Sequence, residues 1–519
     1  MLAPSLLRRA WRLAGAWNGA LASSDSLESA LGGKGAAIQQ QRRQQQSAAG
    51  TGAEQPGGAA AGAAAPREPE TPLLHSIRNR IMIRGGPLSV AEYMGETLTN
   101  PLSGFYMNRD VFGRGGDFVT SPEISQMFGE MVGIWCVTVW MALGSPSKLR
   151  LVELGPGRGT LMADLLRGTA AFPAFASALE IELVELSPAL RRAQWGALRC
   201  AGAPGGESGG AAGEGGGSAS ISGDGGGGGG GDASHGSAST SGSGGASGGG
   251  ESAPLAGVSR VGGGAAPVAW RGALEEVPLE GPPALYIAHE FFDALPVHQF
   301  ARDKRGRGWL EKMVDTADES DPGPHHLRFV LSPQPTPAGA LLVPRRLAAL
   351  PEEQQKGLEA IEISAQGMAT AERLAQRIGS HGGAALIVDY GRAGPPYSDS
   401  LVAIRGHKGV PALSQPGTAD LSAWVDFGAL RAAAEGSGAQ VSVHGPVPQS
   451  RLLLSLGIQA RAQALAGAAT EAAQVEALQA AYDRLVGGGA GGMGESYQAL
   501  AIAGAGLPAP VGFDEGAGE

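Results

Sequence analysis

Residues 149–160 read Leu-Arg-Leu-Val-Glu-Leu-Gly-Pro-Gly-Arg-Gly-Thr, a short apolar stretch that leads into three glycines at alternate positions. Glycine adopts positive φ angles without a steric penalty and allows a ligand to approach the backbone closely. The apolar stretch predicts a buried strand, and the residues after the glycines predict a helix. A glycine turn between a strand and a helix is typical of the nucleoside-binding edge of an α/β sheet.

The spacing of the glycines separates two classes of enzyme, those that bind dinucleotides and those that bind S-adenosylmethionine. The dinucleotide fingerprint requires glycines at i, i+2 and i+5. Here Gly155, Gly157 and Gly159 lie at i, i+2 and i+4, and Glu153 lies two residues before the first of them. A carboxylate there would repel a pyrophosphate, whereas it suits a ligand that carries a sulfonium and an ammonium group. An ordinary glycine-rich turn is the alternative interpretation of this pattern alone.

A second acidic position supports a nucleoside ligand. Residues 180–185 alternate acidic and apolar side chains, as a half-buried strand does, and end at Glu185. An acidic side chain at the end of the second strand of such a sheet can accept hydrogen bonds from both ribose hydroxyls. NAD enzymes share this feature, so Glu185 supports a nucleoside without choosing between the two classes. A solvated strand end is the alternative for Glu185.

Much of the 519-residue chain has a composition typical of disorder. Residues 34–70 are rich in Gln, Ala and Gly, and residues 201–266 consist almost entirely of Gly, Ser and Ala. Such segments bury too little apolar surface to offset the entropy lost on ordering. We therefore predict a disordered linker over 34–70, a disordered insert over 201–266 and a disordered tail over 504–519. The remaining residues suffice for one large α/β domain.

Charge and cysteine content exclude several classes of function. The formal net charge is −10 at pH 7, and no basic stripe lies in the part predicted to fold, which argues against nucleic-acid binding. The two cysteines, Cys136 and Cys200, cannot form a disulfide framework, and no Cys and His spacing indicates a metal site. The apolar run around Cys136 is too short to cross a bilayer, so we predict no transmembrane segment.

The first 33 residues differ from the rest of the chain. Arg8, Arg9 and Arg12 alternate with apolar side chains, and no acidic residue precedes Asp25. These features are typical of an organelle transit peptide rather than a secretory signal. The pattern favours the mitochondrion, with the plastid as the alternative.

Further elements are predicted on both sides of the glycine turn. Helices are predicted over 73–84 and 88–98, with Ser89 and Glu92 placed as a capping box, and another helix starts at Ser121. Continuous apolar runs over 284–288 and 384–388 predict buried parallel strands. Residues 308–314 and 327–331 predict an added hairpin outside the main sheet, and residues 401–404 and 441–443 predict further strands.

Six stretches in this order resemble the MidA family. They include Val-Glu-Leu-Gly-Pro-Gly-Arg-Gly-Thr at 152–160 and Ala-His-Glu-Phe-Phe-Asp-Ala-Leu-Pro at 288–296, and the others are residues 86–94, 115–130, 387–391 and 416–421. The resemblance covers nearly all of residues 73–503 apart from the insert. Mitochondrial members of this family are protein arginine methyltransferases that assist the assembly of respiratory complex I.

The resemblance implies a Rossmann-like, seven-stranded class I methyltransferase sheet over residues 71–503, with an N-terminal helical extension and an added hairpin and helical substrate subdomain. It also implies S-adenosyl-L-methionine as cofactor and symmetric dimethylation of an arginine on a core matrix-arm subunit of complex I, in the mitochondrial matrix. By position, Gly155, Gly157 and Gly159 form the cofactor loop and Glu185 holds the ribose. Residues Asp117, Thr120 and Ser121 belong to a stretch expected to close over the cofactor.

Methylation of arginine sets a chemical requirement, because guanidinium is protonated at any ordinary pH. Carboxylates that grip the guanidinium can localise its charge away from the attacking nitrogen. Glu290 and Asp293 follow the predicted fourth strand and are the best pair in the chain, with His289 as a proton acceptor. Each residue also has a structural alternative: Glu290 forms an ion pair, Asp293 caps a turn, and His289 is packed in the core. Asp389 and Tyr390 either shape a peptide groove or support the structure.

Two other functions compete with the methyltransferase. One is a SAM-binding assembly chaperone for complex I that has lost the chemistry, and intact glycines and Glu185 argue against it. The other is an NAD-dependent oxidoreductase, which the i+4 glycine and Glu153 oppose.

Overall fold

The computed structural model describes residues 66–107, 120–201, 255–318, 320–321, 323–393, 399–489 and 491–514. The strands, in chain order, are β1 (Leu88–Ser89), β2 (Leu149–Leu154), β3 (Leu179–Val184), β4 (Ala256–Ser259), β5 (Ala266–Arg271), β6 (Ala284–His289), β7 (His298–Arg302), β8 (Trp309–Thr316), β9 (Leu327–Leu331), β10 (Ala360–Ile363), β11 (Gly383–Arg392), β12 (Val402–Arg405), β13 (Lys408–Val410), β14 (Asp420–Ser422), β15 (Val425–Asp426), β16 (Val441–Pro448) and β17 (Tyr497–Gly504).

The α-helices are α1 (Pro72–Arg84), α2 (Val90–Thr99), α3 (Ser121–Ile124), α4 (Gln126–Ala142), α5 (Thr160–Gly168), α6 (Pro173–Ala178), α7 (Pro188–Ala197), α8 (Pro337–Ala348), α9 (Glu352–Gln355), α10 (Ala365–His381), α11 (Phe427–Glu435), α12 (Gln449–Ser455), α13 (Ile458–Ala468) and α14 (Ala472–Val486). The predicted capping box is confirmed, because Ser89 accepts a hydrogen bond from the Glu92 N–H while the Glu92 carboxylate accepts one from the Ser89 N–H.

The main sheet has the strand order β16-β17-β11-β6-β2-β3-β5-β4. Strands β5, β3, β2, β6 and β11 run parallel to their neighbours in that series, whereas β17 and β16 are antiparallel. This confirms the predicted α/β fold with a Rossmann-like sheet of seven strands, to which β4 adds an antiparallel edge strand. The two-residue strand β15 also pairs with the end of β11.

Helices cover both faces of this sheet, because its strands are apolar on both sides. Along β2, Leu151 packs into the core on the side of α4 and α5, while Val152 packs into the core on the side of α10 and α11. Every residue of β2 and β6 is buried. Full burial of an aliphatic side chain stabilises a fold by about 1.5–3 kcal/mol, so the two cores hold the carboxyl ends of the strands rigidly.

The predicted added hairpin is confirmed as a separate unit. Strands β8 and β9 pair antiparallel and join β1, β7 and β10 in a five-stranded sheet. Strands β12, β13 and β14 form a third, small sheet, which accounts for the predicted strand near 401–404. Helices α1 and α2 pack with residues of these two sheets around a core of their own.

The predicted bounds of the three disordered segments, the linker, the insert and the tail, are each wrong in part. Val511 and Phe513 are only 5% and 4% exposed, so residues 504–514 of the predicted tail are packed on the domain. Residues 256–259 and 266 of the predicted insert belong to β4 and β5. Residues 66–70 of the predicted linker make hydrogen bonds to two loops of the domain. The prediction of disorder rested on the average composition of each segment, and the few side chains that anchor these residues change that average little. The predicted transit peptide, residues 1–33, lies outside the described residues.

No helix in the described ranges combines the length and the apolar character needed to cross a membrane.

Candidate functional site

A cavity of about 460 Å³ opens at the carboxyl ends of the central strands. The residues that follow β2, β3 and β6 line it together with a residue of β14. Its wall includes Gly155, Gly157, Glu185, Glu290, Asp293 and Asp420. Predicted cofactor residues and predicted acceptor residues therefore share one cavity.

The three glycines of the β2–α5 turn all adopt left-handed backbone conformations, with φ of +63°, +53° and +82° for Gly155, Gly157 and Gly159. A Cβ on Gly155 would lie 2.8 Å from Cδ2 of Phe291, so a side chain there would collide with the wall of the cavity. Gly159 plays a different part, because it caps α5 and packs against Gln194 rather than lining the cavity.

Glu185 follows β3 and lies at the cavity wall. Its carboxylate accepts hydrogen bonds from the Ser187 N–H at 2.8 Å and from Nε2 of Gln194 at 3.2 Å. Burial raises the pKa of Glu185 to about 7, although these donors favour its ionised form. The side chain is anchored, and it still lines the cavity where a ribose hydroxyl could donate to it.

Gln194 of α7 connects three parts of the site, and sequence reasoning missed it. Its amide Nε2 also donates to the carbonyl of Gly157 at 2.7 Å, and its Oε1 accepts from the indole N–H of Trp270 at 2.8 Å. The side chain is fully buried. One glutamine in an amphipathic helix carries no spacing signal, so only the fold reveals this position.

Glu153 lies within β2 and lines a second, smaller cavity of about 40 Å³ beside the glycine turn. His289, Glu290, Gly155 and Gly157 line the same small cavity. Burial, followed by the charge of Glu185, raises the pKa of Glu153 to about 8. Its Oε2 is buried without a hydrogen-bond partner among the described residues, which is costly unless a donor binds there.

Glu290 is the first residue after β6 and has a positive φ of +48°. Such strain in a residue with a side chain is uncommon and recurs at functional sites. Its Oε1 accepts a hydrogen bond from the Ser121 N–H at 3.2 Å. Burial, followed by the nearby charge of Asp293, raises the pKa of Glu290 to about 8.

Asp293 and His289 flank Glu290 on either side. Burial and the charges of Asp389 and Asp420 raise the pKa of Asp293 well above its usual range. His289 Nε2 lies 3.5 Å from Glu290 Oε1, and burial lowers the pKa of His289 to about 3. The imidazole is therefore neutral at physiological pH and a weaker proton acceptor than the sequence analysis expected.

The structure places Asp389 in a supporting position. One of its oxygens accepts hydrogen bonds from the N–H groups of Phe291, Phe292 and Asp293, at 3.1, 2.9 and 3.3 Å. This side chain fixes the loop that carries Glu290. Tyr390 donates to the Ser422 hydroxyl at 3.0 Å, so it too ties neighbouring elements together.

Two residues that the sequence analysis did not assign face the same cavity. Asp420 of β14 and Tyr106 both line it, and the Tyr106 hydroxyl donates to Oδ1 of Asp420 at 2.6 Å. Asp420 lies within the stretch 416–421 that resembles the family, but nothing in its spacing relates it to Glu290. The small third sheet brings them together.

The stretch expected to close over the cofactor is described only in part. Thr120 lines both cavities. Ser121 is fully buried and contacts Glu290 instead of lining the large cavity. Asp117 lies outside the described residues.

The large cavity has a strong excess of acidic groups. Glu185, Glu275, Glu290, Asp293 and Asp420 line it. Among the described lining residues, Arg373 is the only cation, and it pairs with Glu275. In their ionised forms these carboxylates attract cationic ligands and repel a pyrophosphate. Within the described ranges, no group of three or more His, Cys, Asp or Glu side chains is arranged to hold a metal ion.

A family model described as "Putative S-adenosyl-L-methionine-dependent methyltransferase" matches residues 131–447. The protein arginine methyltransferase NDUFAF7, mitochondrial, of Homo sapiens is 36% identical over 424 residues, which cover 80% of each chain. The mouse protein of the same name is 38% identical over 80% of this chain and 81% of its own. The Drosophila melanogaster homolog, also named mitochondrial, is 38% identical over the same shares.

A solved structure from Burkholderia thailandensis has the same fold. That protein was crystallised with S-adenosyl-homocysteine and is 24% identical to this chain. The match covers 85% of this chain and 92% of the other, with a TM-score of 0.59.

Proposed function

The chain belongs to the family of S-adenosyl-L-methionine-dependent methyltransferases, and from this premise we propose that it methylates arginine side chains of a protein substrate. The observation that carries the proposal is the shared cavity, which a glycine turn and Glu185 line together with the acids Glu290, Asp293 and Asp420. The arginine methyltransferase names of its relatives support the same acceptor.

The residues at one end of the cavity fit the cofactor. A Cβ at Gly155 would fill the cradle there, and Glu185 offers carboxylate oxygens to hydroxyl donors. The unpartnered Oε2 of Glu153 beside the turn suits a cationic donor such as an ammonium. When bound, S-adenosyl-L-methionine supplies an electrophilic methyl group on a sulfonium. We assign Gly155, Gly157, Glu153 and Glu185 to its binding and Thr120 to the edge of its site.

The residues at the other end fit a guanidinium. A guanidinium has five N–H donors in a planar fork and takes carboxylates on two of its edges. We assign Glu290 and Asp293 to this grip, with Asp420 close enough to Asp293 for its charge to act on that carboxyl group. Their raised pKa values mean that these carboxyl groups hold protons before the acceptor binds, and an incoming cation favours the ionised forms.

The reaction must release one proton from the attacking nitrogen. Glu290 is suited to accept it, because a carboxylate with a pKa near 8 is a better base than an ordinary one. His289, with its low pKa, stays a neutral imidazole with a single N–H and does not take up the released proton. Asp389 keeps the loop in place through its three backbone hydrogen bonds.

We further propose that the substrate is a core matrix-arm subunit of complex I and that the product is symmetric dimethylarginine. This finer part rests on the resemblance to the MidA family. The mitochondrial names of the relatives support a mitochondrial location, and the matrix follows from the proposed substrate.

The experiment incubates the full chain with methyl-labelled S-adenosyl-L-methionine and the free matrix-arm subunit, and locates the label by mass spectrometry. We expect label on arginine as the symmetric dimethyl form, and none with Gly157→Val, since a side chain at its left-handed backbone position narrows the cavity. Cofactor binding without transfer to this or other arginine-containing proteins would instead favour a non-catalytic assembly chaperone.

A further inference from the structure

Residues 66–70, which are followed by Thr71 and then α1, bridge two loops that are distant in sequence, and we call them the N-terminal strap. On one side, the Glu68 N–H donates to the carbonyl of Pro324 at 3.0 Å, and the Glu68 carbonyl lies 2.7 Å from Nε2 of His326. The Arg67 guanidinium also donates to the carbonyls of His325 and Asp318. These contacts attach the strap to the chain between β8 and β9.

On the other side, the strap contacts the loop formed by residues 411–418. Oε1 of Glu68 accepts a hydrogen bond from the Ser414 hydroxyl at 2.9 Å, while its Oε2 lies 3.1 Å from Nδ1 of His325. Thr71, which directly follows the strap, donates from its hydroxyl to the carbonyl of Pro416 at 2.9 Å. One carboxylate thus joins the β8–β9 connection to the loop.

The same loop leads directly into β14 and Asp420. The Arg405 guanidinium donates to Gln415 Oε1 and Thr418 Oγ1, at 3.2 and 2.8 Å, and thereby ties the loop to β12. Strand β12 pairs with β14 in the register Ile404 to Asp420. A shift of the loop is therefore transmitted to the Asp420 carboxylate at the cavity wall.

The cofactor end of the cavity is built differently. Gly155, Gly157 and Glu185 follow strands of the main sheet, and the Glu185 carboxylate accepts hydrogen bonds from Ser187 and Gln194. None of the strap contacts given above reaches these residues. Loss of the strap should therefore act on one end of the cavity.

We propose that Glu68 is a positioning residue that holds the 411–418 loop, and through it Asp420, in the geometry needed to bind the acceptor arginine. The proposal rests on the proposed function for its acceptor. It assigns a role in the site to a segment whose composition suggested a linker.

The test compares Glu68→Ala, Glu68→Gln and Glu70→Ala in the full chain. Glu70 lies in the strap, where it pairs with His75 and Arg78 of α1 and with His326, and none of these three contacts is to the 411–418 loop, so Glu70→Ala is the matched control. We expect Glu68→Ala to raise the KM for the arginine acceptor about tenfold and to leave the dissociation constant of S-adenosyl-L-methionine within twofold of wild type. Glu68→Gln keeps an oxygen for the Ser414 hydroxyl and should restore most of the acceptor affinity.

An unchanged acceptor KM in Glu68→Ala would overturn the proposal, and so would an equal weakening of cofactor binding, which would indicate a general loss of structure. Amide hydrogen exchange tests the role of the strap independently of the proposed methyl transfer. Even if the wild type transfers no methyl group to arginine, residues 411–421 should exchange faster in Glu68→Ala than in Glu70→Ala. Equal exchange in the two variants would refute the strap itself.

Discussion

At the scale of single residues, the glycine turn combines backbone conformation with close packing. Gly155 has a positive φ, and Phe291 closes the space where its side chain would be. A side chain at position 155 would suffer both the strain of a left-handed backbone and a collision with Phe291. A control glycine that has only the backbone strain separates the two effects.

We expect Gly155→Ala to weaken S-adenosyl-L-methionine binding at least tenfold, measured by isothermal titration calorimetry. Gly306→Ala is the control, because Gly306 has a φ of +80° but no atom of the described residues lies within 4 Å of the position that a Cβ would take. Both variants lose about 1–2 kcal/mol of stability from the left-handed backbone. Equal cofactor affinity in the two would argue against Gly155 as part of the cofactor site.

Gln194 supports a second prediction at this scale. Gln194→Met keeps the length of the side chain but removes the donors to Gly157 and Glu185 and leaves the Trp270 N–H without its acceptor. An unsatisfied buried donor costs about 1–3 kcal/mol, so stability falls and cofactor affinity falls about tenfold.

The pH dependence of cofactor binding distinguishes a positioning role from a purely structural one. Ribose hydroxyls donate best to the ionised Glu185, so binding should weaken as pH falls below about 7. Loss of the Gln194 donor should move this midpoint upward, whereas Gln376→Met on the exposed surface of α10 should not. The other charges that act on this carboxylate, from Arg191 and Glu153, are the same in both variants. An unchanged pH midpoint of cofactor binding in Gln194→Met would mean that Gln194 contributes only packing to the site.

At the scale of elements, the described C-terminal segment after β17 acts as part of the core. Phe513 is 4% exposed and belongs to the cluster that includes Leu452 of α12 and Ala499 of β17. The segment is short and rich in Gly, Ala and Pro, and Val511 and Phe513 anchor it in the core.

We therefore expect Phe513→Ala to lower the free energy of unfolding by about 3–5 kcal/mol in urea denaturation, the range typical of a buried Phe. Leu331→Ala is the control, because Leu331 is 53% exposed and its truncation should cost much less. Equal losses of unfolding free energy in the two variants would mean that the C-terminal segment contributes little to the stability of the domain.

The elements also show how far the sequence determines the site. The glycine turn, Glu185, Glu290 and Asp293 were predictable, because each follows an apolar strand and the carboxyl ends of parallel strands meet at one edge. Asp420, Tyr106, Gln194 and Glu68 were not, because each reaches the site or its support through contacts between segments distant in the chain. Composition misled at residues 66–70 and 504–514, where a few side chains such as Glu68 and Phe513 hold the segment on the domain.

At the scale of the whole molecule, the domain encloses several acids whose pKa values are raised. For Glu153, Glu185 and Glu290 these are about 8, 7 and 8, and burial is the main cause of each. An exposed glutamate in the unfolded chain has a pKa near 4.3. Between these values the folded state keeps protons that the unfolded state releases, so the stability that these three groups contribute is greatest at low pH and is lost as pH rises toward 8.

The expected result is a melting temperature of the ligand-free protein that decreases from pH 5 to pH 8, measured by differential scanning fluorimetry. Each such group contributes about 1.4 kcal/mol per pH unit at most. Glu290→Gln should show a shallower decrease than Glu353→Gln, which alters an exposed carboxylate. Parallel curves for the two variants would contradict the assignment of a raised pKa to Glu290.

The most direct test of the account is to measure cofactor binding and methyl transfer to an arginine acceptor in the same preparation of Glu290→Gln. Glutamine keeps an oxygen for the Ser121 N–H but cannot accept the proton from the guanidinium. We predict a dissociation constant for S-adenosyl-L-methionine within about twofold of wild type and a turnover reduced about 10²–10⁴-fold, the range for loss of a general base. Glu353→Gln, the exposed control, should match wild type in both. Wild-type turnover in Glu290→Gln would contradict the central claim that this carboxylate binds and deprotonates the acceptor.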